Sequence, residues 1–164
     1  MALRYALDRP DSVHHLVLCS PAGAPMSESG WLELRQLFDI RSERDGVAFI
    51  ERLLHRPRWF HRLGGRQVKE MLDRPLVRGL FDSAQPEDFF TADEVAQLKP
   101  KTLFIWGQSE RILPRECLTW FKTHLPDHVI FDEPKGYGHS PHLETPKNLV
   151  QRILDFSGAL DQPD

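Results

Sequence analysis

An excess of charge of either sign is missing from this 164-residue sequence, where 21 Lys and Arg stand against 24 Asp and Glu for a net charge of −3. Nothing in that balance draws the chain toward nucleic acid or an anionic membrane surface. The basic residues of 52–66 interleave with Trp59, Phe60 and leucines, the pattern of a solvated helical face rather than a nucleic-acid patch. Long apolar runs are missing too, so no transmembrane helix is expected. The first ten residues, MALRYALDRP, have Arg4 and Asp8 among the apolar positions and no cleavage-site pattern, which excludes a signal peptide and makes a cytoplasmic protein the expectation. Only two cysteines occur, Cys19 and Cys117, far apart and in different contexts, so two free thiols are expected rather than a disulfide. There is no internal repeat and no low-complexity tract.

What is present is an ordinary globular balance, 40% apolar and 27% charged residues, with length for one domain and a sizeable core. Residues 2–9 read as a helix with Leu3, Ala6 and Leu7 on one face, closed by Pro10. No capping side chain precedes this helix, which is already under way at the first residue. Residues 13–19, VHHLVLC, form a short β-rich run with apolar residues on both faces, as in a buried parallel strand. From 25 to 98 the character is helical. Trp31, Leu34, Leu37 and Phe38 recur at three and four, as do Phe49, Ile50, Leu53 and Leu54, then Val68, Met71 and Leu72. Gly64-Gly65, Pro75 and Pro86 punctuate these segments. After Pro100 the pattern returns to strand (102–106, TLFIW), helix (114–124), short strand (129–131) and a closing amphipathic helix over 144–160. The sum is an α/β fold, a short parallel sheet with flanking helices and a helical insertion between its first two strands.

Two stretches can carry chemistry. The strand TLFIW runs into Gly107-Gln108-Ser109-Glu110, which sets an acid just past the carboxyl end of a buried parallel strand. The next strand leads into GYGHSPH (136–142), delivering His139 at the same sheet edge. An acid and a histidine on adjacent strand ends can share a hydrogen bond that fixes the imidazole tautomer. The plainer alternative is that Glu110 caps the following helix and His139 is one of eight ordinary histidines. His139, His142 and Glu144 also cluster in sequence, but H-x-x-H is not the i, i+4 spacing that aligns two imidazoles on a helix, and Pro141 lies between them. His14-His15 in a strand point to opposite faces, against a chelate.

WGQSERILP (106–114) followed by GYGHSPHLETP (136–146) resembles the C-terminal half of the α/β-hydrolase superfamily, whose members carry a G-x-x-D-x-x-x-P segment after one strand and a G-H-x-x-x-x-E-x-P segment after the next. ALRYALDRPDSVHHLVLCSPAG (2–23) resembles the family helix that follows the nucleophile, then the next strand, and 25–98 matches the lid many members insert. The resemblance implies a core formed by 1–24 and 99–164 with a lid over 25–98. It implies Glu110 as the triad acid, where Asp is usual, and His139 as the triad base, with Glu144 and Pro146 at the matching later places. It implies no cofactor and no metal. Trp31, Phe38, Trp59 and Phe60 would pack the lid against the body or line a pocket for a small hydrophobic, ester-like substrate.

In that family the nucleophile precedes acid and histidine on a G-x-S-x-G turn. Here the helix that should follow the turn is where the sequence begins, so the expectation is a C-terminal piece whose elbow and second oxyanion donor lie upstream of Met1. GHSPH does not replace the elbow. His142 is bulky where a small residue is required, Pro141 has no N–H for an oxyanion hole, and Ser140 adjoins the histidine that would have to serve it. Cys19 and Ser20 are nucleophiles in principle only. Three functions stay open: the inactive acid–base part of a hydrolase of esters or related carbonyl compounds, whose nucleophile is Ser or Asp; a non-catalytic binding or partner protein; and a split enzyme completed by another chain. The strand at 14–19 should have an open edge, which invites self-association.

Overall fold

The computed structural model describes residues 1–85 and 88–158, with the side chains of Arg78 and Phe81 left aside. Pro86, expected as a turn, and the end of the closing helix up to Leu160 lie outside the described residues. Three parallel strands form one sheet in the order β1 (His15–Cys19), β2 (Lys101–Ile105), β3 (Ile130–Asp132). Leu16 pairs with Thr102 and Cys19 with Ile105, while Leu103 pairs with Ile130, so the strands run in step and their carboxyl ends share one edge. Four of the five β2 residues are buried, which is why that strand reads as a continuous apolar run.

The two faces of the sheet bury different sets. Leu16, Leu18, Phe104 and Trp106 join the larger core, together with Leu3 and Ala6 of α1 (Ala2–Asp8) and residues of the helical insertion. Leu103 and Ile105 pack on the other face with Tyr137 and Phe156, and with the half-buried Val17 and Cys19. The alternation that looked apolar on both sides in the sequence is therefore a strand sandwiched between two helical layers. His14 lies just before β1 rather than in it, and the His15 ring meets Phe156 edge-on at 5.6 Å.

Between β1 and β2 the chain forms α2 (Glu28–Phe38), α3 (Glu43–Leu53), α4 (Gly65–Leu72), α5 (Pro75–Ser83) and the single turn α6 (Ala92–Val95). A 3-10 stretch, Trp59–Gly64, joins α3 to α4. Ser42 starts α3 with a capping box: its hydroxyl accepts the Asp45 N–H at 3.2 Å while its own N–H donates to the Asp45 carboxylate at 2.8 Å. The structure divides the four aromatics that the sequence singled out in the insertion. Trp31 and Phe38 pack against the core, whereas Trp59 and Phe60 are exposed and touch each other edge-on.

After β2 comes α7 (Arg115–His124), placed behind Pro114. The expected closing helix is two helices. A one-turn α8 (Pro141–Glu144) precedes α9 (Pro146–Ser157), and Gly158 stops α9 in a left-handed conformation (φ 69°). The division follows from Pro146, which has no N–H to continue a helix and suits the first position of a new one. Among the described residues, no helix is long and apolar enough to cross a membrane.

Candidate active site

The sheet edge gathers the chemistry. β2 delivers a tight turn in which Trp106 N–H donates to Asp132 O (2.9 Å), Ser109 N–H to Tyr137 O (2.9 Å) and Glu110 N–H to Gly107 O (3.0 Å). The first bond joins the end of β2 to β3, the second ties the two following loops together, and the third closes the turn itself. Gly107 is required there, because a Cβ on it would stand 2.4 Å from Tyr137 O and 2.6 Å from Gly138 O.

Glu110 and His139 meet in this junction. His139 Nδ1 lies 2.8 Å from Glu110 Oε2, and the Glu110 side chain is 2% exposed against 26% for His139. The other carboxylate oxygen, Oε1, accepts the backbone N–H of Ile112 (2.7 Å) and of Leu113 (3.1 Å). Glu110 therefore does not cap the following helix, which starts behind Pro114 with no side-chain cap; its second oxygen instead holds the loop before that helix while the first meets His139. Burial works to raise the Glu110 carboxyl, but the hydrogen bond and charge of His139, with Ser20 and the Ile112 N–H, outweigh it and hold the group below its ordinary value. With the acid ionised and accepting at Nδ1, the imidazole carries its proton on that nitrogen and Nε2 keeps a free lone pair. Nε2 has no hydrogen bond among the described residues.

The nucleophile candidates fare differently. Ser140 has φ −120° and ψ 64°, is buried, and directs its backbone N–H to Leu53 O at 3.1 Å, so it is a hinge between loop and α8. Cys19 sits close enough to feel Glu110, but burial first and that carboxylate second push its thiol up to about 11, leaving it protonated at neutral pH. Ser20 ends β1 in the left-handed region (φ 41°), its N–H bonded to Ile105 O at 2.9 Å. Its buried hydroxyl favours the charged form of Glu110 without completing a hydrogen bond of good geometry. The sequence marked Ser20 only as a remote nucleophile and missed its place beside the acid. His142 is exposed on α8, apart from the His139–Glu110 pair. Among the described residues no group of three or more His, Cys, Asp or Glu is placed to hold a metal.

Glu144 carries a second feature that spacing did not announce. Its carboxylate accepts the backbone N–H of His55 (2.5 Å) and of Arg56 (2.8 Å), just past the end of α3. Arg111, next to the acid, donates to the carbonyls of Glu51 and Leu54, and Ser109 Oγ pairs with His55 Nδ1 at 2.6 Å. Gly138 passes so close to this segment that a Cβ would stand 2.7 Å from Leu53 O and from His55 N. The end of α3 is therefore locked to both loops that carry the acid and the histidine. No local pattern pairs residue 55 with residue 144, and only the fold brings them together.

Comparisons with known proteins identify the fold of this helix-flanked parallel sheet as that of α/β-hydrolases. No protein-family model matches the chain. The chain is 29% identical over 66 residues to an alpha/beta hydrolase domain-containing protein, VTE7, of Arabidopsis thaliana, a match covering 40% of this chain and 20% of that protein. A 2-hydroxy-6-oxo-6-phenylhexa-2,4-dienoate hydrolase from Rhodococcus sp. strain RHA1 superimposes with a TM-score of 0.75 at 19% identity over 94% of this chain. A carboxylesterase, CesB, from Bacillus subtilis does so with a TM-score of 0.68 at 22% identity, also over 94%. The chain spans 58% and 54% of the lengths of those two structures. It has the α/β-hydrolase fold, and its likeness to these proteins is one of fold.

Proposed function

We propose that His139 and Glu110 are the base and the acid of a nucleophile–His–acid hydrolase acting on carboxylic esters or related carbonyl compounds. The observation that carries this is the 2.8 Å contact between His139 Nδ1 and a buried Glu110 carboxylate at the carboxyl ends of adjacent parallel strands. Glu110 accepts the Nδ1 proton and holds the ring, so that Nε2 takes the proton of a nucleophile and later returns it to the leaving group. Residues 1–24 and 99–164 would form the core of such an enzyme, and 25–98 its lid. The exposed apolar side chains of the helical insertion, Trp59, Leu63, Leu76 and Leu80 among them, support a hydrophobic substrate.

Among the described residues none has the geometry of a nucleophile elbow, so the attacking Ser or Asp and the oxyanion donors are assigned to a segment outside this chain. By itself the chain has a base with nothing to deprotonate and is expected to be inactive. A split enzyme completed by another chain is a second arrangement, favoured by the free edge of β1, which pairs with β2 alone among the described residues. Short p-nitrophenyl esters provide the test. The chain alone should give no turnover above buffer. A form extended through a G-x-S-x-G segment should turn over and lose on the order of 10³-fold or more in kcat on Glu110→Gln, whose amide would present a donor to Nδ1 and force the wrong tautomer. Robust turnover by the chain alone that survives His139→Ala would overturn the roles assigned to both residues.

A further inference from the structure

Beside the acid–histidine pair, and containing neither member of it, lies an open cleft of about 1130 Å³ between the 3-10 stretch after α3, the loop after β3 and the start of α9. Its charge is opposite to that of the molecule. Arg56, Arg58 and Lys135 line it against a single carboxylate, Glu144, in a chain whose net charge is −3. None of the three cations has an ion-pair partner among the described residues, whereas Arg35, Arg41, Arg62, Arg66 and Arg115, also exposed, each have one. The one carboxylate offsets a single charge of the three, and both its oxygens are engaged by the backbone N–H groups of His55 and Arg56 rather than by a cation. His61 adds an oriented donor. Its Nδ1 accepts the Arg58 N–H at 2.9 Å, which leaves the proton of the neutral ring on Nε2. Phe60, 43% exposed, supplies an apolar wall.

We propose that this cleft binds the phosphate group of a phosphate ester, with Arg56, Arg58 and Lys135 meeting the oxyanion and Phe60 the ester's organic part. Two guanidinium forks and an ammonium suit a dianion with three peripheral oxygens, and the arginines can each engage two of them. The ordering of Arg56 is already under way, because Glu144 fixes its backbone and leaves the side chain free. The site is independent of the chemistry assigned to His139.

Titration of the full chain with phenyl phosphate and with inorganic phosphate, followed by calorimetry and amide chemical shifts at constant ionic strength, tests this. Saturable binding is expected, phenyl phosphate the tighter, with shifts concentrated in residues 55–61 and 135–137 and a loss of at least tenfold in Arg56→Ala/Arg58→Ala. Arg58→Ala alone, at an exposed side chain with no described partner, guards against a folding defect and should lose several-fold. Vesicles containing phosphatidylglycerol form the second arm. Arginine-dependent binding to them without binding of the soluble phosphates would assign the same chemistry to a lipid headgroup. No saturable response to either probe, or a response unchanged in the double variant, would overturn the site.

Discussion

Glu110 does three things with two oxygens, and its protonation state links them. The folded carboxyl titrates below its ordinary 4.5, so the unfolded chain binds the proton more readily than the folded one. The stability this group contributes is complete above the ordinary carboxyl range and is lost as pH falls through the lower folded value. Glu110→Gln should therefore flatten the acid limb of a stability–pH curve below the ordinary carboxyl range, as followed by urea denaturation. An unchanged acid limb would show that the folded carboxyl is not held below its ordinary value. The two thiols make the opposite case. Burial pushes both Cys19 and Cys117 up to about 11, so iodoacetamide at pH 8 should label the native chain far more slowly than the urea-unfolded one. Fast native labelling of Cys19 would return it to the list of nucleophiles.

At the scale of elements, the helical insertion is fastened to the sheet by carboxylates that accept backbone N–H groups. Glu116 of α7 takes the N–H of Ser27 at 3.0 Å and its hydroxyl at 2.8 Å, at the start of α2. Glu144 of α8 does the same for His55 and Arg56 beyond the end of α3. Charged acceptors make the stronger class of hydrogen bond, and losing one strands its donors. Glu144→Ala should cost about 2 kcal/mol and speed amide exchange at residues 55 and 56 while leaving the β2 amides protected. Gly138→Ala probes the same junction by sterics. Its Cβ would press on backbone atoms of residues 53–55 rather than on a flexible side chain, so a loss of about 2 kcal/mol is expected in thermal melts. A neutral result for both variants would mean that α3 is not held by the histidine loop.

Across the whole molecule, three strands carry the sheet, and among the described residues its edge strands β1 and β3 each pair with β2 alone. β1 alternates buried Leu16 and Leu18 with half-buried Val17 and Cys19, and its outer hydrogen-bonding groups meet no described strand. An apolar strand with an open edge is a template for pairing. The 19.0 kDa chain is expected to run above its monomer mass, with a share that grows with concentration, in size-exclusion chromatography with light scattering. A monodisperse monomer with a cooperative melt would sink that expectation.

Much of this architecture was legible in the sequence because it rests on local rules. Periodicity placed all three strands within two residues, and the three and four spacing of Trp31, Leu34 and Phe38 placed α2. The positions of Glu110 and His139 also followed from local order, since each lies a few residues past a strand end and parallel strands put those ends together. The sequence argument against the GHSPH serine was local as well, resting on Pro141, the bulk of His142 and the adjoining histidine. What the sequence could not contain is any contact that depends on closing the chain over tens of residues. The partners of Glu144 lie 88 and 89 positions away, and Ser20 reaches Glu110 only because β1 and β2 pair in register. The same closure collects Arg56, Arg58 and Lys135 around one cleft, although nothing in their spacing pairs them. Short-range pattern decides which elements form and which residues stand at their ends; the packing of those elements decides which residues meet.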